Sequence, residues 1–242
     1  MDDRIIGYPP VSVVISAYNE ADTIELEIRN IHNIIVSNIP GSELIIAEDG
    51  SSDGTKEIIG SLIDELGIIH STSEKRKGYT KALRDAFLIA KSPIIFFSDT
   101  GNKHPPSDFW KIYKYCDEYD LIIGVRTNRK DQYYRKFLTL GYNLLLSFIF
   151  KVKVHDVDSG FRIYKKQLLT KLLQKEWIFN ELIASELTLR SIIEGYKIKE
   201  IPVSYKQRGS ESRGLPFKKI PFVIFHSIFD LIKLYREYNK KY

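Results

Sequence analysis

Residues 1–125 alternate strand-like and helix-like segments throughout, and this alternation constrains the fold more than any other feature of the sequence. Apolar, largely β-branched runs occur at 11–16 (VSVVIS), 43–48 (ELIIAE), 68–70 (IIH), 94–97 (IIFF) and 120–124 (DLIIG). Between them lie segments of helical periodicity at 21–36, 55–66, 79–91 and 107–118. Near-continuous apolar strands joined by helices predict a mostly parallel, doubly wound sheet with helices on its faces. Gly67 is placed to close the second helix, and Pro93 restarts the chain into the fourth strand.

The strand ends carry the chemistry. Tyr18, Asn19 and Glu20 follow the first strand, a turn-forming cluster with Asp49 and Asp53 follows the second, and Ser98 and Asp99 end the fourth. In open α/β sheets, ligands bind beyond the carboxyl ends of the strands. Asp53 and Ser107 also read as N-caps of the helices that follow them. Taken jointly, the clusters describe a crevice lined by carboxylates. There is no Gly-x-Gly-x-x-Gly and no Walker pattern, so the crevice suits a mononucleotide held by carboxylates rather than a dinucleotide or NTP hydrolysis.

The second half is less regular. A helix is expected at 129–150, strongly apolar after Phe137, with Arg126, Arg129 and Arg135 at its approach. A polar turn at 155–162 (HDVDSGFR) leads into a short strand, followed by a helix at 182–194, a strand at 198–205 and an amphipathic helix at 216–238. The simplest organisation is one domain, 1–214, with a C-terminal helical extension, 215–242. Cys116 is the single cysteine among 242 residues, which excludes a disulfide framework or a cysteine zinc site. A net charge of +5 is too small to imply nucleic acid. No signal peptide is expected, and the apolar run 137–150 falls short of the roughly 20 residues of a membrane span. A soluble or peripheral protein is expected.

The segments VSVVISAYNE (11–20), EDGSSDGT (48–55), Lys77-Gly78, Ser98-Asp99 with HPP (104–106), and DVDSGFR (156–162) together resemble family 2 glycosyltransferases, above all the polyprenyl-phosphate (dolichol-phosphate) mannosyl and glucosyl transferases. The resemblance spans roughly residues 10 to 210. It implies a GT-A fold, a nucleotide-diphosphate sugar donor (UDP- or GDP-hexose), inversion at the anomeric carbon and a polyprenyl phosphate acceptor. By position, Ala17, Tyr18, Glu20, Asp49, Lys77 and Asp99 would hold the donor. Arg126, Arg135, Ser159 and Arg162 would hold the acceptor phosphate. Asp99, Lys103, Arg162 and Glu186 are the candidate catalytic residues.

One departure stands out. Asp99 matches the first acid of the family's Asp-x-Asp metal motif, but the second acid position is Gly101, and Lys103 follows where a further ligand often sits. Asp99 alone is left as ligand for Mg²⁺ or Mn²⁺, a thin shell for a cation that seeks several oxygens. Lys103 reads either as a solvated loop lysine or as a fixed positive charge beside the diphosphate. Glu186 reads either as orienting acceptor or sugar, or as structural. Two alternative functions remain open: transfer to a glycan hydroxyl with Glu186 or Glu181 as base, and a catalytically weak nucleotide-sugar binder. Basic residues flank the last helix, which suits an interfacial helix on anionic lipid, so the expected setting is peripheral on the cytoplasmic membrane face. A homodimer or an integral-membrane partner fits the same reading.

Overall fold

The computed structural model describes residues 9–127, 133–150, 154–179, 182–206 and 220–239; for 133–139 and 220–224 it describes backbone alone. The expected helix at 129–132, the loop arginines Arg208 and Arg213, and the basic pairs 218–219 and 240–241 lie outside the described residues.

Seven strands form one sheet: β1 (Val11–Ala17), β2 (Glu43–Glu48), β3 (Ile69–Ser71), β4 (Ile94–Asp99), β5 (Leu121–Thr127), β6 (Phe161–Lys165) and β7 (Ile198–Ser204). Their order is β3-β2-β1-β4-β6-β5-β7. All neighbours are parallel except β6, which runs antiparallel to both β4 and β5. The sheet is therefore mixed, and the one reversed strand comes from the half of the chain whose periodicity was weakest.

The helices are α1 (Ile24–Ile34), α2 (Thr55–Leu66), α3 (Tyr79–Ile89), α4 (Phe109–Tyr113), α5 (Tyr133–Phe150), α6 (Lys166–Leu173), α7 (Ile183–Ile193) and α8 (Ile220–Asn239). Alternation along the strands divides the core. Val13, Ile15, Phe96, Phe161 and Ile163 pack with α1, α2 and α4 on one face. Val14, Ile95, Phe97 and Tyr164 pack with α3, α6 and α7 on the other. A third cluster joins Leu146 of α5, Leu189 of α7, and Leu231 and Leu234 of α8.

Two expectations need correcting. The helix expected at 107–118 contains a 3₁₀ turn (Pro106–Asp108) and then only Phe109–Tyr113 as α-helix. Helix α6, with Leu168, Leu169, Leu172 and Leu173 buried, has no counterpart in the sequence reading.

Candidate active site

The carboxyl ends of β1, β2 and β4 converge, and Asp99 ends β4 facing the α3 side. Its backbone N–H donates to the carbonyl of Gly160 (2.8 Å), which continues the antiparallel β4–β6 ladder by one step. Its Oδ1 accepts from the Tyr79 hydroxyl (3.1 Å), and its Oδ2 lies 3.5 Å from the Lys103 ammonium. A Cβ at residue 160 would stand 2.1 Å from Asp99 Oδ2. Only glycine fits there. Burial pushes the Tyr79 hydroxyl well above its usual range, reinforced by Asp99, so it stays a donor.

The Asp49 cluster works mainly by holding backbone. Asp49 is buried and accepts from the N–H groups of Lys77 (2.8 Å) and Gly78 (3.0 Å). This fixes the loop before α3 and seats the Arg76 guanidinium 4.1 Å over the Tyr18 ring. Lys77 turns its ammonium to Asp85 (2.5 Å). Glu20 is buried; its N–H donates to Thr55 Oγ1 (2.8 Å), and its carboxylate accepts from the Thr23 hydroxyl (3.3 Å). Ala17 contributes its carbonyl to the Asp49 N–H (3.1 Å). Asp53 accepts from the Thr55 N–H (3.1 Å) and the Ala21 N–H (3.2 Å), while the residue at the α2 N-cap is Gly54. Glu48 was not singled out from sequence. It is fully buried, and although burial opposes its charge, hydrogen bonds from Ser51 N–H and the Thr72 hydroxyl hold its carboxyl below the usual range.

The loop after Asp99 has a support of its own. Gly101 and Asn102 both take left-handed backbone (φ 93° and 52°). Their N–H groups donate to Oε2 of Glu27 (2.9 and 3.4 Å), a buried α1 carboxylate that the sequence reading missed. Burial raises the Glu27 carboxyl, against these bonds and the nearby Lys103 charge. Asp99 holds the Lys103 ammonium above its usual range, against its burial. His104 is buried, its Nδ1 2.9 Å from the Ser204 carbonyl and its pKa lowered by burial. As a divalent-metal site this donor set is a poor fit. Asp99 is already paired with an ammonium, residue 101 offers no carboxylate, and no trio of His, Cys, Asp or Glu gathers among the described residues.

On the acceptor side, Arg126 at the end of β5 makes a fork with Asp156, Nε and Nη2 each donating to one oxygen (2.7 and 2.5 Å). Arg135 lies in the first turn of α5, whose side chains are outside those described. Two of the residues expected at the acceptor phosphate are buried. Arg162 is fully buried on the α7 side of β6, donating to the carbonyls of Ser159, Val157 and Ala184 and to the hydroxyls of Thr188 and Tyr164. Its fork braces the 157–160 turn and is spent on protein oxygens. Ser159 is likewise buried, its hydroxyl donating to the Gly124 carbonyl (2.6 Å). Glu186 is fully buried too, accepting from the N–H groups of Ile178 and Phe179 and from Arg190. Both carboxylate oxygens are occupied, so of its two readings the geometry favours the structural one. Glu181 lies outside the described residues.

Asp158 is a further titratable group that sequence reasoning passed over. Burial pushes its carboxyl up to about 6, against Arg126 and Arg162 and with help from Asp99 and Asp156. The repeated acid spacing in DVDSGFR was the available signal.

A parallel-rich sheet with a carboxylate crevice at its strand ends and one reversed strand is the architecture of GT-A nucleotide-sugar transferases. The family description "Glycosyl transferase family 2" matches residues 12–173, and the chain belongs to that family. It is 28% identical over 217 residues to a dolichyl-phosphate hexose transferase of Haloferax volcanii, covering 87% of this chain and 89% of that protein. It is 26% identical to a polyprenol monophosphomannose synthase of Mycolicibacterium smegmatis, covering 81% of this chain and 77% of that protein. Among solved structures, glucosyl-3-phosphoglycerate synthase from Mycobacterium tuberculosis, in complex with Mn²⁺, UDP and phosphoglyceric acid, superposes with a TM-score of 0.74. The two are 19% identical, and the match covers 94% of this chain and 78% of that one, a likeness of fold.

The raised Asp158 carboxyl sets a pH test. The native carboxyl binds its proton more tightly than the unfolded chain, whose value is near 3.8, so its contribution to stability falls as pH rises from about 4 to about 6. Asp158→Asn removes that fall. Thermal melts should show equal pH-linked behaviour below pH 4 and a variant relatively more stable, by roughly 3 kcal/mol, above pH 7. A stability difference that does not change with pH contradicts the assignment.

Proposed function

We propose that this protein is an inverting hexosyltransferase that moves a sugar from a UDP- or GDP-hexose to a polyprenyl phosphate. The observation that carries the reading is the pairing of two oppositely equipped ends of one crevice. Asp49, Asp99 and Lys103 stand at the β2 and β4 ends, and the Arg126 fork stands at the β5 end. The relatives named for dolichyl-phosphate and polyprenol substrates support the same acceptor class.

The chemistry follows from the acceptor. A phosphate monoester is ionised at pH 7, so its oxygen attacks the anomeric carbon without a general base. The bond from that carbon to the donor's β-phosphate oxygen breaks, and the electron pair leaves with the nucleoside diphosphate. The protein has to align the two groups and stabilise the departing charge. Tyr18, with Arg76 over its ring, offers a surface for the base, and the Asp49-held loop frames it. Arg126, oriented by Asp156, presents its cation to the acceptor phosphate. Arg162, Ser159 and Glu186 act as positioning residues beneath the site. Where a divalent metal would sit in such a crevice, this chain offers, among the described residues, Asp99 alone, already paired with the Lys103 ammonium.

The C-terminal part gives the acceptor a place to come from. Leu140, Leu144 and Phe148 are exposed along α5 at four-residue spacing, and Phe225, Ile228, Phe229, Ile232 and Tyr235 are exposed along α8. Lys233 and Arg236 are exposed beside the α8 stripe. No helix among the described residues is long and apolar enough to cross a membrane. Residues 1–214 form the catalytic unit and 215–242 a lipid-facing extension, peripheral on the cytoplasmic face.

Three outcomes are expected. Purified protein given UDP- and GDP-hexoses with a short polyprenyl phosphate yields an acid-labile lipid-linked sugar. Arg126→Lys, which keeps charge and loses the fork, lowers kcat/KM for the lipid phosphate by about tenfold or more. No lipid-linked product with any donor, or a product on a glycan hydroxyl instead, contradicts the reading. In sedimentation with anionic phosphatidylglycerol vesicles, Phe229→Glu should release most of the bound protein. Equal binding by variant and wild type contradicts the lipid-facing assignment of α8.

A further inference from the structure

The loop after Asp99 carries a consequence for how the donor's charge is met. In this chain the position of a second acid is Gly101, and its left-handed backbone (φ 93°) is a conformation that disfavours any side chain there. The conformation is held, because the buried Glu27 carboxylate accepts from the N–H groups of residues 101 and 102. The same turn brings Lys103 back over the strand end. Its backbone carbonyl accepts from the Lys206 N–H (2.8 Å), tying the loop to the segment after β7. Its ammonium sits 3.5 Å from Asp99 Oδ2, with side chains 31% and 27% exposed, so both groups are anchored yet open to the crevice. A divalent cation on Asp99 would meet this ammonium as a like charge, with one carboxylate where it seeks several oxygens.

Building on the donor reading above, we propose that the Lys103 ammonium takes the place of the divalent cation on the donor's β-phosphate, so that this protein binds its nucleoside diphosphate without metal. Asp99 orients the ammonium, and the backbone locked by Glu27 fixes where it stands. An ammonium brings three donors and a compact charge, sufficient to pair with phosphate oxygens that gain charge as the anomeric bond breaks. No proton moves in this step; the electron pair leaving the anomeric carbon settles on the β-phosphate oxygen facing Lys103.

Calorimetric titration of the full chain with UDP, GDP and other nucleoside diphosphates, in EDTA and again in Mn²⁺, tests this. The wild type should bind one of them in EDTA within about threefold of its Kd in Mn²⁺, and Lys103→Met should weaken binding in EDTA by about tenfold or more. Lys103→Arg should keep most of the affinity, and thermal melts should report all three proteins folded. Paramagnetic resonance of Mn²⁺ should show no more bound metal with protein and nucleotide than with nucleotide alone. Binding that appears only with Mn²⁺, or a Lys103→Met protein that binds as well as wild type, overturns the proposal while leaving the donor reading intact. No nucleotide bound under either condition overturns both.

Discussion

The antiparallel seating of β6 between β4 and β5 is the constraint on which this site depends. It brings the 156–162 turn against the end of β4, so that the Gly160 carbonyl accepts from the Asp99 N–H and the Asp99 carboxylate occupies the space a Cβ would need. Residues 160, 162 and 164 share one face of the strand, so Arg162 lies on the same side of the sheet as the Asp99 carboxylate and reaches into the α7 layer. A buried guanidinium with its donors satisfied by carbonyls and hydroxyls costs less than one left unpaired, and it ties β6, the turn and α7 into one body. The Asp99 carboxylate is thus placed by packing beneath it rather than by the loop that follows it.

Electrostatically the crevice is built from ion pairs, one half-buried and one largely buried. Asp99 with Lys103, and Arg126 with Asp156, each hold one charge in place with the other. Glu27 and Asp158, with carboxyls raised by burial, sit beside these pairs.

Much of this was legible in the sequence, for identifiable reasons. Helix α2 was read to the residue, because Gly54 and Gly67 punctuate a clean amphipathic run. Strand β4 and its terminal Asp99 were equally plain, bounded by Pro93 and by Gly101. The direction of β6 was not legible, since a short strand after a polar turn carries no mark of its partner. Arg162 and Ser159 were placed at the acceptor phosphate by resemblance alone, and both are fully buried with their donors on protein oxygens. Glu27 was hidden for a different reason. It lies on an exposed-looking helix, and its role exists only through the two backbone N–H groups of a loop 74 residues away. Helix α6 was missed because its eight residues begin directly where β6 ends, with no turn signal between them.

The account rests on Lys103 and Asp99 meeting the donor together. A crystal structure of the protein with its preferred nucleoside diphosphate, grown in EDTA, tests that most directly. The account predicts a β-phosphate oxygen within hydrogen-bond distance of the Lys103 ammonium and the base beside Tyr18. A diphosphate bound elsewhere, or Lys103 turned to solvent with the phosphates unmet, would contradict it.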